Sequence, residues 1–232
     1  MARLPRLSIG GMPHLLVQAA QHGQAVFLDD SDRTLYRNLL GEIARAEGVA
    51  LHAYALMDDQ VRLLATPRTA EGLGRLMQSL GRRYGGAFNR RHERRGTLWA
   101  GRFRATVLEP ERHLLEAMRF VEDEGNWSGV VDDAGPASSR GHHLGRRQDS
   151  LISDAAPFWG LGNTPFEREA SYRQLLAGGL PLPVRAALEQ AVHTGWPLGS
   201  ERFIAQLSGK TTRRLTPLKR GRPPKATTSD AG

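Results

Sequence analysis

The stretch LHAYALMDDQVRLLATP, residues 51–67, decides the fold that we expect for this chain. Two short apolar runs flank a turn at residues 57–59, and runs of this length and character are typical of strands. The stretch therefore predicts a β-hairpin. Gln60 and Arg62 lie on its second strand, where alternate side chains point to the same face of the sheet.

Outward from the hairpin, strand-like and helix-like patterns alternate. The most distinct helix begins with acidic and hydroxyl residues suited to an N-cap, has apolar residues at helical spacing, and stops at Gly48. Pro110 opens the last helix of this part, which runs to a glycine stop at Gly125. Besides the hairpin, the predicted elements are strands over 14–20 and 103–109 and helices over 30–48, 69–92 and 110–125.

The order strand, helix, strand, strand, helix, strand, helix predicts an α+β fold. In such split-βαβ proteins an antiparallel sheet carries helices on one face. We assign this domain to residues 1–133. Residues 134–155 are rich in Gly, Ser and Asp and are interpreted as a linker or mobile loop. A small helical region over 156–208 and a disordered basic tail over 209–232 complete the expected organisation.

Composition narrows the classes of function. The 232 residues include no cysteine, which excludes disulfides, thiolate metal sites and thiol nucleophiles and fits a reducing cytosol. No apolar run approaches the roughly 18 residues of a membrane helix. Prolines and glycines interrupt the N-terminal segment, which makes it a poor signal peptide. We therefore expect a soluble cytoplasmic protein with no membrane partner.

The positive charge is concentrated in one segment. Lysines and arginines number 32 against 24 acidic residues, which gives a formal net charge of +8 and an isoelectric point near 10.7. Residues 75–104 hold nine arginines and one acid, Glu93, so the net charge of this segment alone equals the net charge of the whole chain. Guanidinium groups suit phosphate oxygens, and a solvated basic surface is the alternative. The arginines that we expect to hold nucleic-acid phosphates are Arg82, Arg83, Arg90, Arg91, Arg94, Arg95, Arg102 and Arg104.

Four aromatic residues are interleaved with these arginines: Tyr84, Phe88, Trp99 and Phe103. An exposed ring in such a segment would stack on a base while the arginines hold phosphates. The alternative is that the rings belong to the core, and we favour this interpretation for Phe88 and Phe103.

A second basic stretch, KRGRPPK at residues 219–225, contains Arg-Gly-Arg-Pro. Its glycine lets an extended backbone enter a narrow groove while Arg220 and Arg222 follow the groove floor. The stretch is typical of an AT-hook that binds the minor groove of A·T-rich duplex DNA. The alternative is a tail that binds any polyanion.

Several blocks, in order, carry a resemblance to a known family: VFLDDSDR, LHAYALMDDQVRLL, AFNRRHERRGTLWAGRFRATVLE, HLLEAMRFV, GWPLGSERF and KRGRPPK. From residue 26 to about 131, and more loosely through the tail, the chain resembles the single-tyrosine, His-hydrophobic-His transposases associated with repetitive extragenic palindromes. The resemblance implies a bacterial DNA transposition or recombination protein with a ferredoxin-like antiparallel sheet. In that family a divalent metal polarises a phosphate beside a DNA hairpin, and a tyrosine hydroxyl attacks it.

The residues that carry this chemistry are replaced. The family's metal-binding histidines fall on Gln60 and Arg62, and its nucleophile falls on Phe120. Glutamine is a weak neutral ligand, arginine has no lone pair to donate, and a phenyl ring has no hydroxyl. The resemblance, with these replacements, leads us to expect a protein that binds single-stranded or hairpin DNA without a cofactor and does not cleave the strand.

The main alternative is an active, metal-dependent DNA-nicking transposase. Asp58 and Glu124 would then bind Mg²⁺ or Mn²⁺ in a substitute site, unless Arg62 simply pairs with Glu124. A remnant without a role, or a protein-binding adaptor, is a third reading. His142 and His143 lie in the expected loop and are interpreted as solvated, since no third ligand is evident. The choice between DNA and RNA and the oligomeric state stay open.

Overall fold

The computed structural model describes residues 5–122 and 137–217. Within these ranges no helix is both long and apolar enough to cross a membrane. The elements are β1 (His14–Ala19), α1 (Asp30–Ala46), β2 (Val49–Met57), β3 (Gln60–Pro67), α2 (Gly72–Arg91), β4 (Arg104–Val107), α3 (Pro110–Glu122), α4 (Arg140–His143), α5 (Ala156–Trp159), α6 (Pro165–Ala177), α7 (Leu182–Thr194) and α8 (Glu201–Ser208).

The four strands form one antiparallel sheet in the order β2-β3-β1-β4. β1 lies in the interior, where it pairs with β3 on one side and with β4 on the other. β2 and β3 form the predicted hairpin around a two-residue turn, Asp58 and Asp59. Because the elements follow one another as β1-α1-β2-β3-α2-β4, the sheet has the split-βαβ arrangement. The predicted α+β fold with an antiparallel sheet is confirmed.

Helices cover both faces of this sheet. α1 and α2 pack on the face that presents Leu16, Leu63 and Ala65. α3 and α7 pack on the opposite face, which presents Leu15 and Leu64. The expectation that the helices all lie on one face, the predicted helix over 110–125 included, is therefore wrong. Only α1 and α2 share a face, and α3 packs on the other one together with the C-terminal helices, because its apolar residues meet Leu15 and Leu64.

Residues 137–155, which composition suggested as a linker or mobile loop, lie against the outer edge of β2. The Leu56 amide donates to the Ala137 carbonyl at 2.7 Å. The Ser139 and Ser153 amides donate to carbonyls of β2 at 3.0 and 2.7 Å. Small polar residues are common in loops, and here they satisfy backbone groups at the edge of a sheet. The segment is therefore packed structure, in contrast to the expectation.

The C-terminal region reaches the other edge, β4. The Leu198 amide donates to the Val107 carbonyl, and the Glu109 amide donates to the Leu198 carbonyl, both at 2.9 Å. Leu215, from the first part of the expected disordered tail, is buried in a cluster with Phe203. The predicted tail thus contributes to the core up to this point. Arg220 and Arg222 of the AT-hook-like stretch, and Glu124 of the substitute metal site, lie outside the described residues.

His14 at the start of β1 makes the fold sensitive to acid. Its buried ring donates from Nδ1 to the Met12 carbonyl at 2.7 Å, and Nε2 accepts from the Ile9 amide at 3.2 Å. Burial lowers the pKa of His14 from 6.5 to about 4. Between these two values the unfolded chain binds a proton that the folded protein does not. The contribution of His14 to the free energy of unfolding is therefore fully present above pH 6.5 and decreases as the pH falls towards about 4.

We expect His14 alone to remove about 2 to 3 kcal/mol of unfolding free energy between about pH 7 and pH 4.5. Urea unfolding at both pH values measures the total loss. His14→Gln does not titrate, so its loss should be smaller by that amount. Equal losses in the two proteins would show that the acid sensitivity comes from other groups.

Candidate nucleic-acid interface

One cavity, on the face of the sheet covered by α3 and α7, brings Gln60, Arg62 and Phe120 together. Arg62 is paired in register with Val17, which is itself paired with Arg104 of β4, so these side chains form a row across three strands. The cavity has a volume of about 350 Å³. Its lining comprises Val17, Ala19, Gln60, Arg62, Ala100, Arg102, Arg104, Phe120, Glu189, Val192 and His193.

The Arg62 guanidinium is stacked on the Phe120 ring, 4.5 Å from its centroid. Arg62 Nη1 donates to the Phe120 carbonyl oxygen at 3.0 Å, and the side chain is only 6 % exposed. Burial, reinforced by the charge of Arg185, lowers the pKa of Arg62 to about 10. The group therefore stays charged at neutral pH. A fixed cation thus occupies the place where the resemblance puts a metal ligand, directly against the place of the nucleophile.

Helix α7 and strand β4 form the rim of this cavity. Arg104 Nη1 and His193 Nδ1 are hydrogen-bonded to each other across it. Arg102 and Arg104 also line an adjoining cavity of about 480 Å³. Because Arg6, Arg213 and Arg214 line this second cavity as well, the rim continues into a strongly basic surface.

Asp58, expected in the substitute metal site, is placed differently. It lies in the exposed turn between β2 and β3, and its carboxylate pairs with Arg33 of α1 at 2.5 Å. It is not among the residues that line the cavity with Arg62. The described part of the chain therefore does not bring Asp58 to the Arg62 and Phe120 positions.

Two of the expected phosphate-binding arginines, Arg83 and Arg91, are held by acidic residues of the protein. Arg83 contacts both carboxylate oxygens of Glu42 at 2.7 and 2.9 Å. Arg91 contacts Asp29 at 2.7 Å and Asp32 at 2.5 Å, and this pairing lowers the pKa of Asp29 to about 2. These contacts join α2 to α1. A further member of the set, Arg94, donates to the side-chain oxygen of Gln24.

Four of the five remaining arginines are chain neighbours of residues that line a glycine-rich groove, and the fifth, Arg104, lines the two cavities described above. The groove has a volume of about 380 Å³ and runs between α2 and the loop before β4. Its glycines are Gly81, Gly85, Gly86, Gly96 and Gly101. Arg82, Arg90, Arg95 and Arg102 are each the chain neighbour of a lining residue, are exposed, and form no ion pair within residues 5–122 and 137–217. The sequence does contain a sign of this groove, because Gly81 and Gly85 are four residues apart and therefore share one face of the helix.

The interleaved aromatic residues are all in the core. Tyr84 and Phe88 are completely buried, and Trp99 and Phe103 nearly so. The Tyr84 hydroxyl donates to the Val26 carbonyl at 2.5 Å, and its ring packs edge-on against Tyr36. The core interpretation favoured for Phe88 and Phe103 therefore holds for all four rings. Base stacking by an exposed ring of this segment is not available in this conformation.

A buried polar cluster around Glu122, at the end of α3, was missed by the sequence reasoning. Glu122 accepts hydrogen bonds from His143 Nδ1 at 2.7 Å, from the Tyr172 hydroxyl at 2.7 Å and from the Ser139 hydroxyl. His143 is completely buried, so its interpretation as a solvated loop histidine was wrong. The residues that donate hydrogen bonds to Glu122 lie up to 50 residues away from it in the chain, and no local sequence pattern indicates such a contact.

The chain is similar to known proteins in its structure. No protein-family model matches the chain, and no curated protein does. A REP-associated tyrosine transposase, solved bound to a REP hairpin, is similar with a TM-score of 0.53 and 11 % identity over 68 % of this chain and 93 % of the other.

Two further structures are less similar. A candidate transposase of Deinococcus radiodurans R1 has a TM-score of 0.36 and 21 % identity over 53 % of this chain and 95 % of the other. A bacterial tRNA(His) guanylyltransferase-like protein in complex with GTP has a TM-score of 0.39 and 11 % identity over 52 % and 65 %. From the first comparison and the sheet order, we conclude that the chain has a transposase-like α+β fold.

Proposed function

We propose that this protein binds single-stranded or hairpin DNA and does not cleave it. The observation that carries the proposal is the glycine-lined groove, whose lining residues have Arg82, Arg90, Arg95 and Arg102 as exposed chain neighbours that form no ion pair among the described residues. Acidic side chains would compete with phosphates for these groups. Because the four arginines form no ion pair among the described residues, their charge is available for a polyanion.

The glycines make the groove suitable for a nucleic-acid backbone. A Cβ atom added at Gly85 or Gly86 would meet no other atom within 4 Å, so the space beside α2 is open. A backbone without side chains allows a sugar-phosphate chain to approach closely. The similar REP-associated transposase was solved with a hairpin, which makes hairpin DNA the first ligand to test.

The absence of cleavage follows from Arg62 and Phe120. The Arg62 cation repels a divalent ion at this position, and the Phe120 ring offers no hydroxyl to attack phosphorus. We therefore propose that DNA binding requires no metal cofactor. Arg220 and Arg222, outside the described residues, would add a contact to the minor groove of A·T-rich duplex DNA.

A gel experiment tests binding and cleavage together. The full chain is mixed with a labelled single-stranded hairpin, with and without Mg²⁺ or Mn²⁺, over a salt series. We expect a shifted band, no cleaved or covalently linked product, and a log affinity that falls with log salt by roughly 0.7 to 0.9 per neutralised phosphate. Metal-dependent cleavage would replace this proposal with the nicking transposase. A salt-independent affinity, or no shift, would contradict binding through the arginines.

Filling the groove should weaken binding without harming the fold. Gly85→Gln places a side chain in the groove, whereas Gly74→Gln places the same side chain on α2 outside it, and neither added Cβ meets an atom within 4 Å. Both changes should stabilise the helix by about 0.5 kcal/mol, because glycine disfavours helix. We expect roughly 10-fold weaker hairpin binding only for Gly85→Gln, a loss of about 1.4 kcal/mol. Equal binding by both variants would place the DNA elsewhere.

A further inference from the structure

His142, His143 and Asp154 bring three metal-ligand atoms together outside the arginine surfaces. One nitrogen of each histidine and one carboxylate oxygen all lie within 4.8 Å of one another. Asp154 Oδ1 is 3.4 Å from His142 Nε2 and 3.9 Å from His143 Nε2. Tetrahedral Zn²⁺, with bonds of about 2.0 Å, places its ligand atoms roughly 3.3 Å apart. Small side-chain movements therefore suffice to close this triangle around an ion.

His143 is oriented as a metal ligand is usually oriented. Its Nδ1 is hydrogen-bonded to Glu122 at 2.7 Å, which orients the ring and leaves Nε2 on the side of Asp154, 3.9 Å from that carboxylate. This Nε2 is completely buried and has no hydrogen-bond partner among the described residues. Metal-binding histidines commonly donate their second nitrogen to a carboxylate in this way. A buried nitrogen without a partner is otherwise unfavourable, and a bound cation would satisfy it.

His142 requires a rearrangement before it can bind. The Asp149 amide donates to His142 Nδ1 at 3.1 Å, so the proton of the neutral ring lies on Nε2, towards Asp154. Coordination through Nε2 moves that proton to Nδ1, and the ring must then turn away from the amide. His143 and Asp154 are consequently the stronger pair of ligands, and His142 is the third.

The site opens on one side to a cavity of about 360 Å³, which His142 and Asp154 help to line. Glu169 lines the same cavity and brings a further carboxylate to it. The neighbouring cation Arg168 donates to the Gly162 carbonyl and stacks on Trp159, so its head group is already engaged. A fourth metal position can therefore be filled by water or Glu169 from the cavity.

We propose that His142, His143 and Asp154 form a binding site for a divalent transition metal of the Zn²⁺ class. Two imidazoles and one carboxylate suit Zn²⁺ and Co²⁺, whereas Mg²⁺ and Mn²⁺ prefer oxygen ligands. The ion would fasten residues 137–155 to α3 through the His143 and Glu122 contact. Glu122 acts here as a positioning residue, because it touches His143 and not the ion.

Titration of the full chain, without an added histidine tag, by Co²⁺ tests the site. We expect visible d–d absorption that saturates at one equivalent and disappears when Zn²⁺ is added, together with a rise in melting temperature on Zn²⁺ binding. Asp154→Asn keeps the size of the side chain and removes its charge, and should lower the affinity by at least roughly 10-fold. Glu122→Gln should lower the metal affinity by roughly 10- to 100-fold, as substitutions of residues that hydrogen-bond to a metal ligand typically do.

His113→Gln is the matched control. His113 Nδ1 also pairs with a carboxylate, that of Glu116, at 2.7 Å, yet the described residues give this pair no third ligand. Its removal should leave the Co²⁺ absorption and the Zn²⁺-dependent melting temperature unchanged. The proposal is overturned if the wild type does not bind Co²⁺ at one equivalent, or if folded Asp154→Asn binds it as tightly as the wild type.

Discussion

Replacing Arg82, Arg90, Arg95 and Arg102 together with alanine is expected to weaken hairpin binding by roughly 1000-fold at moderate salt, since each of the four charged contacts contributes on the order of 1 kcal/mol. All four guanidinium groups are exposed, so their removal leaves no buried charge behind. The dependence of log affinity on log salt should flatten by about three, because each neutralised phosphate contributes roughly 0.7 to 0.9. Fluorescence anisotropy with a labelled hairpin over a salt series measures both quantities.

A charge-matched variant separates the groove from the general basicity of the chain. Alanine at Arg45, Arg68, Arg112 and Arg202 removes the same number of exposed positive charges from positions that do not neighbour the groove. We expect less than about a 10-fold change for this control, through long-range electrostatics alone. Similar losses in the two variants would mean that net charge, and not the groove, binds the DNA.

Replacing Glu122 with leucine is expected to lower the free energy of unfolding by about 3 to 5 kcal/mol. Its side chain is 0 % exposed, and its carboxylate accepts hydrogen bonds from His143, Tyr172 and Ser139. Leucine has a similar size but would leave these buried donors without their acceptor. For a protein of this size the melting temperature should fall by about 10 °C. Urea unfolding and calorimetry measure the two quantities.

Glu116 provides the comparison on the same helix. It too accepts a hydrogen bond from a histidine Nδ1 at 2.7 Å, but its side chain is 30 % exposed and water can replace it. Glu116→Leu should therefore change the stability by less than about 1 kcal/mol. Glu122→Gln, which keeps an acceptor oxygen, should lie between the two leucine variants. If Glu122→Leu and Glu116→Leu were equally stable, the buried cluster would contribute little to the fold.

The elements that the sequence predicted well are those that neighbouring residues determine. The Asp29 side chain accepts from the Asp32 amide at 3.0 Å and caps α1, and Gly48 just beyond α1 has a positive φ of 62°. The hairpin turns at Asp58 and Asp59, as its pattern indicated. Capping, glycine stops and tight turns are local, so a single sequence contains the information that specifies them.

The features that escaped the sequence analysis depend on residues far apart in the chain. Composition could not distinguish Arg91, which is paired, from Arg90, which has no ion-pair partner in the described part of the chain, because the Arg91 partner Asp29 lies 62 residues away. His143 was placed in a solvated loop because Glu122 and Tyr172, which enclose it, belong to two other helices. The juxtaposition of Arg62 and Phe120 was accessible only through the family resemblance, which aligned both positions with one chemical site.

Both outer strands of the sheet are occupied by the chain itself. Residues 137–155 hydrogen-bond to β2, and Leu198 hydrogen-bonds to Val107, the last residue of β4, and to Glu109 just after it. An uncovered strand would be a template on which another copy, or an extended peptide, adds a further strand. Here any such addition must first displace the chain's own covering segments. The C-terminal half of the protein therefore protects the N-terminal sheet against edge-to-edge aggregation, and separating the two halves at residue 133 would remove that protection.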